Sequence, residues 1–494
     1  MKIPNLSSLL LASFSGKLIY ALASLASLPV AAHVLGAEAV GLVGFFTTLL
    51  MVLMVLEGGL TSSVIQRLAS IRGSRLIGRS HRPIFALINT YLLVFTLMGL
   101  VAALVIVMAS PMLVSSWLKL TVIAEQQALY CLYCMAIFIG LNLPVMLLQG
   151  VFVGHELQQS LNKIYIPYSI MRTLGVLLVV SEVSRLDSVV GYFIVQVVVQ
   201  FVYVVSLLLV LKKHGVLGRA RVHFKYLKHG IAFSRGVFLI SLTSLITVQY
   251  DKVFMSGKLG LEEYAYYSLA STVAGFPYIF STAFNAVLFP RFSSNLRLGQ
   301  FDVIEKIFRA ALVLFSLVMT IMCSAVFWFA QPVLLMLFEP FLANGMAIVL
   351  PWLLVGTALQ SLLIIPFALQ LAASWTSLSF RLNLVAVPVM LLALPTLVAH
   401  FGAVGGGYTW VLYNLFSLAC TAYFTCRRFP WLKSAYRTCL IAVLFTTALA
   451  NGIFFLCSIW LSSGLAVLVV TCLSSAALCA VGLVVFRRHL AGLR

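Results

Sequence analysis

Apolar runs of one kind recur along the whole chain. Each is about 20 residues of Leu, Val, Ala, Phe and Ile, set apart by short polar stretches rich in Lys, Arg, Gly and Pro. Such a run crosses a hydrocarbon core of about 30 Å as a helix. Barrel strands are excluded, because they are about half that length and alternate between faces, whereas these runs are uniformly apolar. The pattern predicts fourteen spans, over residues 6–32, 40–65, 84–109, 126–150, 165–183, 188–211, 233–256, 264–289, 307–331, 346–370, 381–399, 404–426, 438–461 and 464–486.

Two stretches of this pattern are alike. Leu35-Gly36-Ala37-Glu38 turns the chain, an apolar run follows and Arg67 ends it; Leu259-Gly260-Leu261-Glu262 turns it again, and Pro290-Arg291 closes the second run. Gly36 to Arg67 and Gly260 to Arg291 are both 31 residues, at an offset of 224, and Pro144 and Pro366 lie in the fourth and tenth spans at an offset of 222. An even number of crossings preserves direction, so the reading is a six-helix unit repeated in parallel. The fold class expected is an all-α polytopic membrane protein of about fourteen transmembrane helices, two pseudo-symmetric six-helix lobes plus two extra C-terminal helices. The lobes are residues 1–211 and 233–426, joined by a basic linker over 212–232, with 427–494 holding the last two spans and the tail.

Composition agrees. The 494 residues are 62% hydrophobic and 9% charged, with a mean hydropathy of +1.11, which excludes a water-soluble fold. The net charge of +20 would suggest nucleic acid in a soluble protein, but here its placement has another cause. With a cytoplasmic N-terminus, the inner loops carry Arg72, Arg75, Arg79, Lys212, Lys213, Arg219, Arg427, Arg428 and their neighbours, and the outer loops hold three of the 32 basic residues, Lys119, Arg185 and Lys258. Retention of positive charge on the cytoplasmic side puts both termini there. The longest inner loop, Lys212 to Arg235, mixes cations with His223, Phe224 and Tyr226 and reads as an interfacial segment against anionic lipid, with a partner site as the alternative. Lys17 interrupts the first run, so that run is expected to be retained as a helix rather than cleaved as a signal. Nine cysteines lie mostly in apolar runs, and Cys131-Leu-Tyr-Cys134 has redox spacing without a redox context.

The turn motif Leu35-Gly36-Ala37-Glu38 with Gly41, Gly58-Gly59 before Arg67, Asp251-Lys252 before Leu259-Gly260, and Gly402-Ala403-Val404-Gly405-Gly406 together resemble the polysaccharide-transport flippases. That family includes the Wzx-like translocases and sits in the MOP superfamily with the MATE drug exporters and lipid II flippases. The resemblance spans the chain in length and topology. It implies two lobes around a cationic cavity in the bacterial inner membrane, flipping an oligosaccharide linked through diphosphate to undecaprenol, an O-antigen or exopolysaccharide unit. No metal-ligand spacing, nucleotide loop or catalytic-triad order appears in the sequence, so no enzyme activity and no cofactor are expected, with a proton or sodium gradient as the candidate energy source and other polysaccharide assembly proteins as candidate partners. The last two spans could shape a groove for the polyprenyl tail, as in the lipid II relatives.

A charge at bilayer depth costs about 3 kcal/mol or more unless it is wet or paired, so each one is a candidate for function. Lys17 and Arg172 would offer cations to a diphosphate, Arg by a bidentate fork; for Lys17 the competing reading is snorkelling to the headgroups. Lys252 is a third cation, and beside it Asp251 would fix it or carry a coupling proton, although sequence neighbours on a helix point about 100° apart and need not pair. Glu57, next to Gly58-Gly59, is the other candidate carrier of a coupling ion, against a hydrogen-bonded structural role. Arg67, Arg235 and Arg291 stand at cytoplasmic helix ends, as topology determinants or as cations gathering a headgroup at a cavity mouth. Two alternatives compete with the flippase. One is an exporter of the same fold for a cationic drug or another lipid, and an acidic cavity, which would suit a cationic drug, is against the balance here; a polysaccharide polymerase or ligase would need a long outer loop, and none exceeds about 15 residues.

Overall fold

The computed structural model describes residues 27–54, 57, 59–73, 82–155, 157–175, 188–278, 281, 285, 288, 289, 291, 292, 295, 296, 298–373, 375 and 377–460. Among them every regular element is a helix. Helical residues 27–35 lead to α1 (Ala37–Met54), then α2 (Leu60–Gly73), α3 (Arg82–Met112), α4 (Glu125–Gly154), α5 (Gln158–Ile170), α6 (Ser188–Lys213), α7 (Lys225–Lys258) and α8 (Leu261–Ala274). After these come α9 (Phe301–Leu337), α10 (Pro340–Leu362), α11 (Ile364–Ala372), α12 (Ser377–Phe401), α13 (Val404–Arg428) and α14 (Lys433–Trp460). Seven helical stretches among the described residues are long and apolar enough to cross a membrane, Pro83–Trp117, Glu125–Gly154, Val189–Lys213, Phe301–Leu337, Pro340–Ala372, Ser377–Phe401 and Pro430–Ile459. The chain is a multi-pass helical membrane protein.

The spans differ from their sequence expectations in two instructive ways. Several helices outrun their apolar runs: α7 has 34 residues and α9 has 37, about 51 Å and 55 Å of helix against a core of about 30 Å. Apolarity marks the part of a helix at membrane depth, whereas its ends continue into water wherever good helix formers follow. The run read as one span over 40–65 is interrupted. α1 is described to Met54, Glu57 is in a 3-10 conformation, Gly59 takes φ +76° and α2 starts at Leu60. Only glycine adopts that backbone without strain. Likewise the run 346–370 is two helices hinged at Leu363.

Contacts group the chain into two compact units, Met1–Ala265 and Tyr266–Arg494. In the first, α3 packs along α4, α4 along α6, and α7 lies against α1, α2 and α3. Its aromatic core stacks Phe46 edge-on to Phe138 at 5.1 Å and to Phe193 at 5.6 Å. The linker after α6 is docked rather than free: Asn89 donates to the carbonyls of Gly218 and Ala220 at 3.1 and 3.2 Å, and the His223 N–H donates to Thr90 Oγ1 at 3.0 Å. Its cations Lys212, Lys213, Arg219, Arg221 and Lys225 stay exposed beside Phe224, which is 62% exposed.

In the second unit, Phe292, Phe308, Phe315 and Ile365 centre a core closed by Leu432 and Ala435. α14, from the thirteenth predicted span, is tied along α9: Trp328 Nε1 donates to Asn451 Oδ1 at 2.8 Å, and Ser434 shares Glu305 with Arg309. The fourteenth span lies outside the described residues.

Candidate functional site

The first unit carries a polar seam through an otherwise apolar set of helices. Tyr192, Gln196, Gln200 and Tyr203 recur three or four residues apart on α6, hence on one face. Gln200 is fully buried and Gln196 is 3% exposed. Gln200 accepts from Tyr168 Oη of α5 and donates to Asn142 Oδ1 of α4 at 3.3 Å. The Tyr168 ring stacks on Tyr203 with centroids 3.8 Å apart, and Gln149 donates to Tyr203 Oη at 2.9 Å. Gln196 donates to Tyr192 Oη at 3.0 Å and to the Arg172 carbonyl at 3.1 Å, while its own carbonyl oxygen is buried without a partner. Burying an amide without partners costs about 1–3 kcal/mol, so α4, α5 and α6 are held in register by the need to satisfy these groups.

Arg172 sits at the head of this seam. Helix α5 gives way after Ile170 to a π-helical turn over Met171–Gly175, which places Arg172 half-buried with its guanidinium 4.8 Å above the Phe138 ring. A desolvated cation over an aromatic face gains up to about 2 kcal/mol, which offsets part of its cost at this depth. The seam supplies a polar wall where hydrocarbon would otherwise be.

Lys252 and Asp251 are also half-buried, and they do pair, Nζ to Oδ1 at 3.4 Å; Lys252 Nζ donates in addition to the Val248 carbonyl at 2.9 Å. The helix sets the two about 100° apart, and the length of the lysine stem lets it fold back across that angle. Glu57 lies in the break between α1 and α2, half-buried, and accepts from the Thr61 hydroxyl in the first turn of α2. A carboxylate there also faces the positive end of the α2 dipole. Non-helical backbone at membrane depth is tolerated only where protein or water satisfies it.

Arg67 stacks over Tyr226 at 5.3 Å and donates to the Tyr226 carbonyl, which also accepts from Tyr91 Oη at 3.3 Å. It therefore clasps the docked linker to α2. Arg291 is exposed. Lys17 lies outside the described residues, and of Arg235 only the helical backbone within α7 is described. Cys131 and Cys134 are both free thiols.

The break predicts a measurable asymmetry between glycines. Gly59→Ala forces an L-residue into the left-handed region, a cost of about 1–2 kcal/mol. Gly260→Ala meets nothing within 4 Å and should be silent. Thermal unfolding of both variants in detergent checks this, and equal midpoints would contradict the break.

Three comparisons bear on this arrangement. The family described as polysaccharide biosynthesis protein matches residues 9–296. Comparison with curated proteins returns no match. Among solved structures, the lipid II flippase MurJ in an inward closed conformation aligns with a TM-score of 0.75 at 12% identity, covering 96% of this chain and 99% of that one. An inward-facing multidrug resistance MATE transporter of the MOP superfamily aligns at 0.67 and 14% identity, over 84% of this chain and 95% of that one. A MOP superfamily transporter from Pyrococcus furiosus, whose reversed pocket polarity is taken to suggest a different function, aligns at 0.55 and 13% identity, over 88% and 95%. At these identities the likeness is one of fold.

Proposed function

The chain belongs to the polysaccharide biosynthesis protein family, and we propose that within it the protein is a flippase for a lipid-linked oligosaccharide. The cargo in this reading is an undecaprenyl-diphosphate-linked O-antigen or exopolysaccharide unit, carried by alternating access from the cytoplasmic to the periplasmic leaflet of a bacterial inner membrane. Both termini are cytoplasmic, as the loop charges favour. The observation that carries the reading is Arg172, a cation held half-buried by Phe138 and a polar seam inside the membrane. A diphosphate is the ligand for which such a cation is worth its cost, and Lys252, steadied by Asp251, is the second point of charge. Lys17, Arg67, Arg235 and Arg291 would extend the cationic path, and Glu57 or Asp251 would carry the coupling proton or sodium ion.

The tail of such a lipid needs an apolar berth. A cavity of about 650 Å³ between α9, α10, α13 and α14 is lined by Met319, Phe327, Leu359, Leu415 and Leu440. Ala419→Trp, on its exposed rim, is expected to slow transport of a long-chain polyprenyl substrate by severalfold and to spare a short-chain analogue. Equal effects on both would remove the cavity from the account.

The test of the function is reconstitution. Purified protein in vesicles should move a polyprenyl-diphosphate oligosaccharide between leaflets. Movement of a cationic dye, with none of the lipid, would replace the flippase with a drug exporter of the same fold.

A further inference from the structure

α5 and α6 leave a groove between them in the first unit, with a volume of about 660 Å³. Pro167 and Met171 form one wall, and Val198, Val202 and Leu209 form the other; all five are exposed, the last three by more than half. Ser206 also lines it, but its hydroxyl is spent on the Val202 carbonyl of its own helix at 2.8 Å. The floor is made by the stacked rings of Tyr168 and Tyr203, so the groove and the polar seam share a wall. From Val198 to Val210 the groove follows α6 for about 18 Å at 1.5 Å per residue, close to half of a hydrocarbon core of about 30 Å. It is one leaflet deep.

The charge stands at one end. Lys163 lines the groove itself, and Lys213 lies four residues beyond Leu209 and three beyond Val210, hence on the same face of α6 one turn nearer the cytoplasm. Both lysines are exposed, and neither helix carries an Asp or Glu. Ser160 and His214 share a hydrogen bond of 3.1 Å, which ties the start of α5 to the turn after α6 and so holds the two lysine-bearing ends together. Cations above an apolar slot of this depth complement a lipid with a phosphate in the headgroup plane and an acyl chain below it. A zwitterionic headgroup brings its own cation and gains less from them. A polyprenyl chain is much longer than the slot, which ends at Met171 and Val198.

We propose that this groove binds an anionic diacyl phospholipid of the cytoplasmic leaflet, with its phosphate on Lys163 and Lys213 and one acyl chain along Met171, Val198 and Val202. Met171 opens the π-helical turn that carries Arg172, and Tyr168 donates to Gln200 of the seam, so a bound chain lies against the element that positions Arg172. The inference goes beyond the flippase reading and does not depend on it. It takes from the sequence only the orientation that puts Lys163 and Lys213 on the cytoplasmic side.

Native mass spectrometry of the purified full-length protein, titrated with phosphatidylglycerol or with phosphatidylcholine of the same chains, tests the site. Phosphatidylglycerol is expected to bind about tenfold more tightly, and Lys163→Glu to lose that preference. Val202→Trp, on an exposed wall, fills the groove and is expected to weaken phosphatidylglycerol binding at least about tenfold. Unchanged affinity in both variants overturns the proposal. So does a loss caused instead by Arg219→Gln with Arg221→Gln, which would move the binding to the linker. A polyprenyl phosphate that binds more tightly than phosphatidylglycerol, and is blocked by Val202→Trp, would make the groove a berth for cargo and equally overturn it. Should the variants fail to fold, the unmodified protein in vesicles decides. Phosphatidylglycerol with a photoreactive acyl chain is expected to crosslink within residues 163–171 and 198–210, whereas crosslinks spread equally over the exposed apolar face of α3 would show bulk contact only and overturn the site.

Discussion

Arg172→Ala is expected to abolish transport of a diphosphate-linked lipid while the chain remains folded. In the proposed site the side chain would make charge-assisted contacts worth about 1.5–3 kcal/mol each to the diphosphate, so losing one would cost roughly ten- to a hundredfold in affinity. Removing it also takes a cation out of the membrane interior, which relieves a cost and leaves Phe138 packed within its aromatic cluster. The seam keeps its main-chain link, because Gln196 bonds the Arg172 carbonyl and not its side chain. Arg172→Lys should recover part of the activity, since it restores charge without the fork. In cells, lipid-linked repeat units should accumulate on the cytoplasmic face of the membrane in the alanine variant. Normal surface polysaccharide would remove Arg172 from the site.

The second large effect is a non-additive pair. Asp251→Ala leaves the Lys252 ammonium half-buried without its carboxylate, and Lys252→Ala leaves the reverse. Breaking a fully buried pair costs about 3–5 kcal/mol, and partial exposure here lowers that to about 1–3 kcal/mol for either single change. The double variant should regain most of that stability, because no charge is stranded. It should not regain transport if Lys252 meets the cargo. A thermal unfolding series combined with vesicle transport separates the two roles: an anchor alone predicts that the double variant transports normally.

What the chain made legible follows from which forces are local. The sixth span is legible to within two residues, 188–211 expected against Ser188–Lys213 observed, because the apolar run meets water abruptly at Lys212 and Lys213. Charges were visible as well, because each is costly at membrane depth wherever its neighbours lie. The polar seam is fainter in the sequence for the complementary reason that it carries no charge, although Tyr192, Gln196, Gln200 and Tyr203 at helical spacing in a Val-rich run form a readable stripe. Glu38 shows the real boundary. Its partners are main-chain N–H groups more than 80 residues away, and a main-chain donor leaves no mark on residue identity. Nor does residue type alone say what Gly59 does: at φ +76° it serves a left-handed backbone that interrupts the helical run beside Glu57.

The cargo is the centre of the account, and the lipid that co-purifies with the protein reports it most directly. Mass spectrometry of that lipid is expected to find a polyprenyl-diphosphate oligosaccharide on the unmodified protein and to find it depleted at least about tenfold on Arg172→Ala. Bulk phospholipid alone, in equal amounts on both proteins, would contradict the proposal that Arg172 holds a diphosphate-linked cargo.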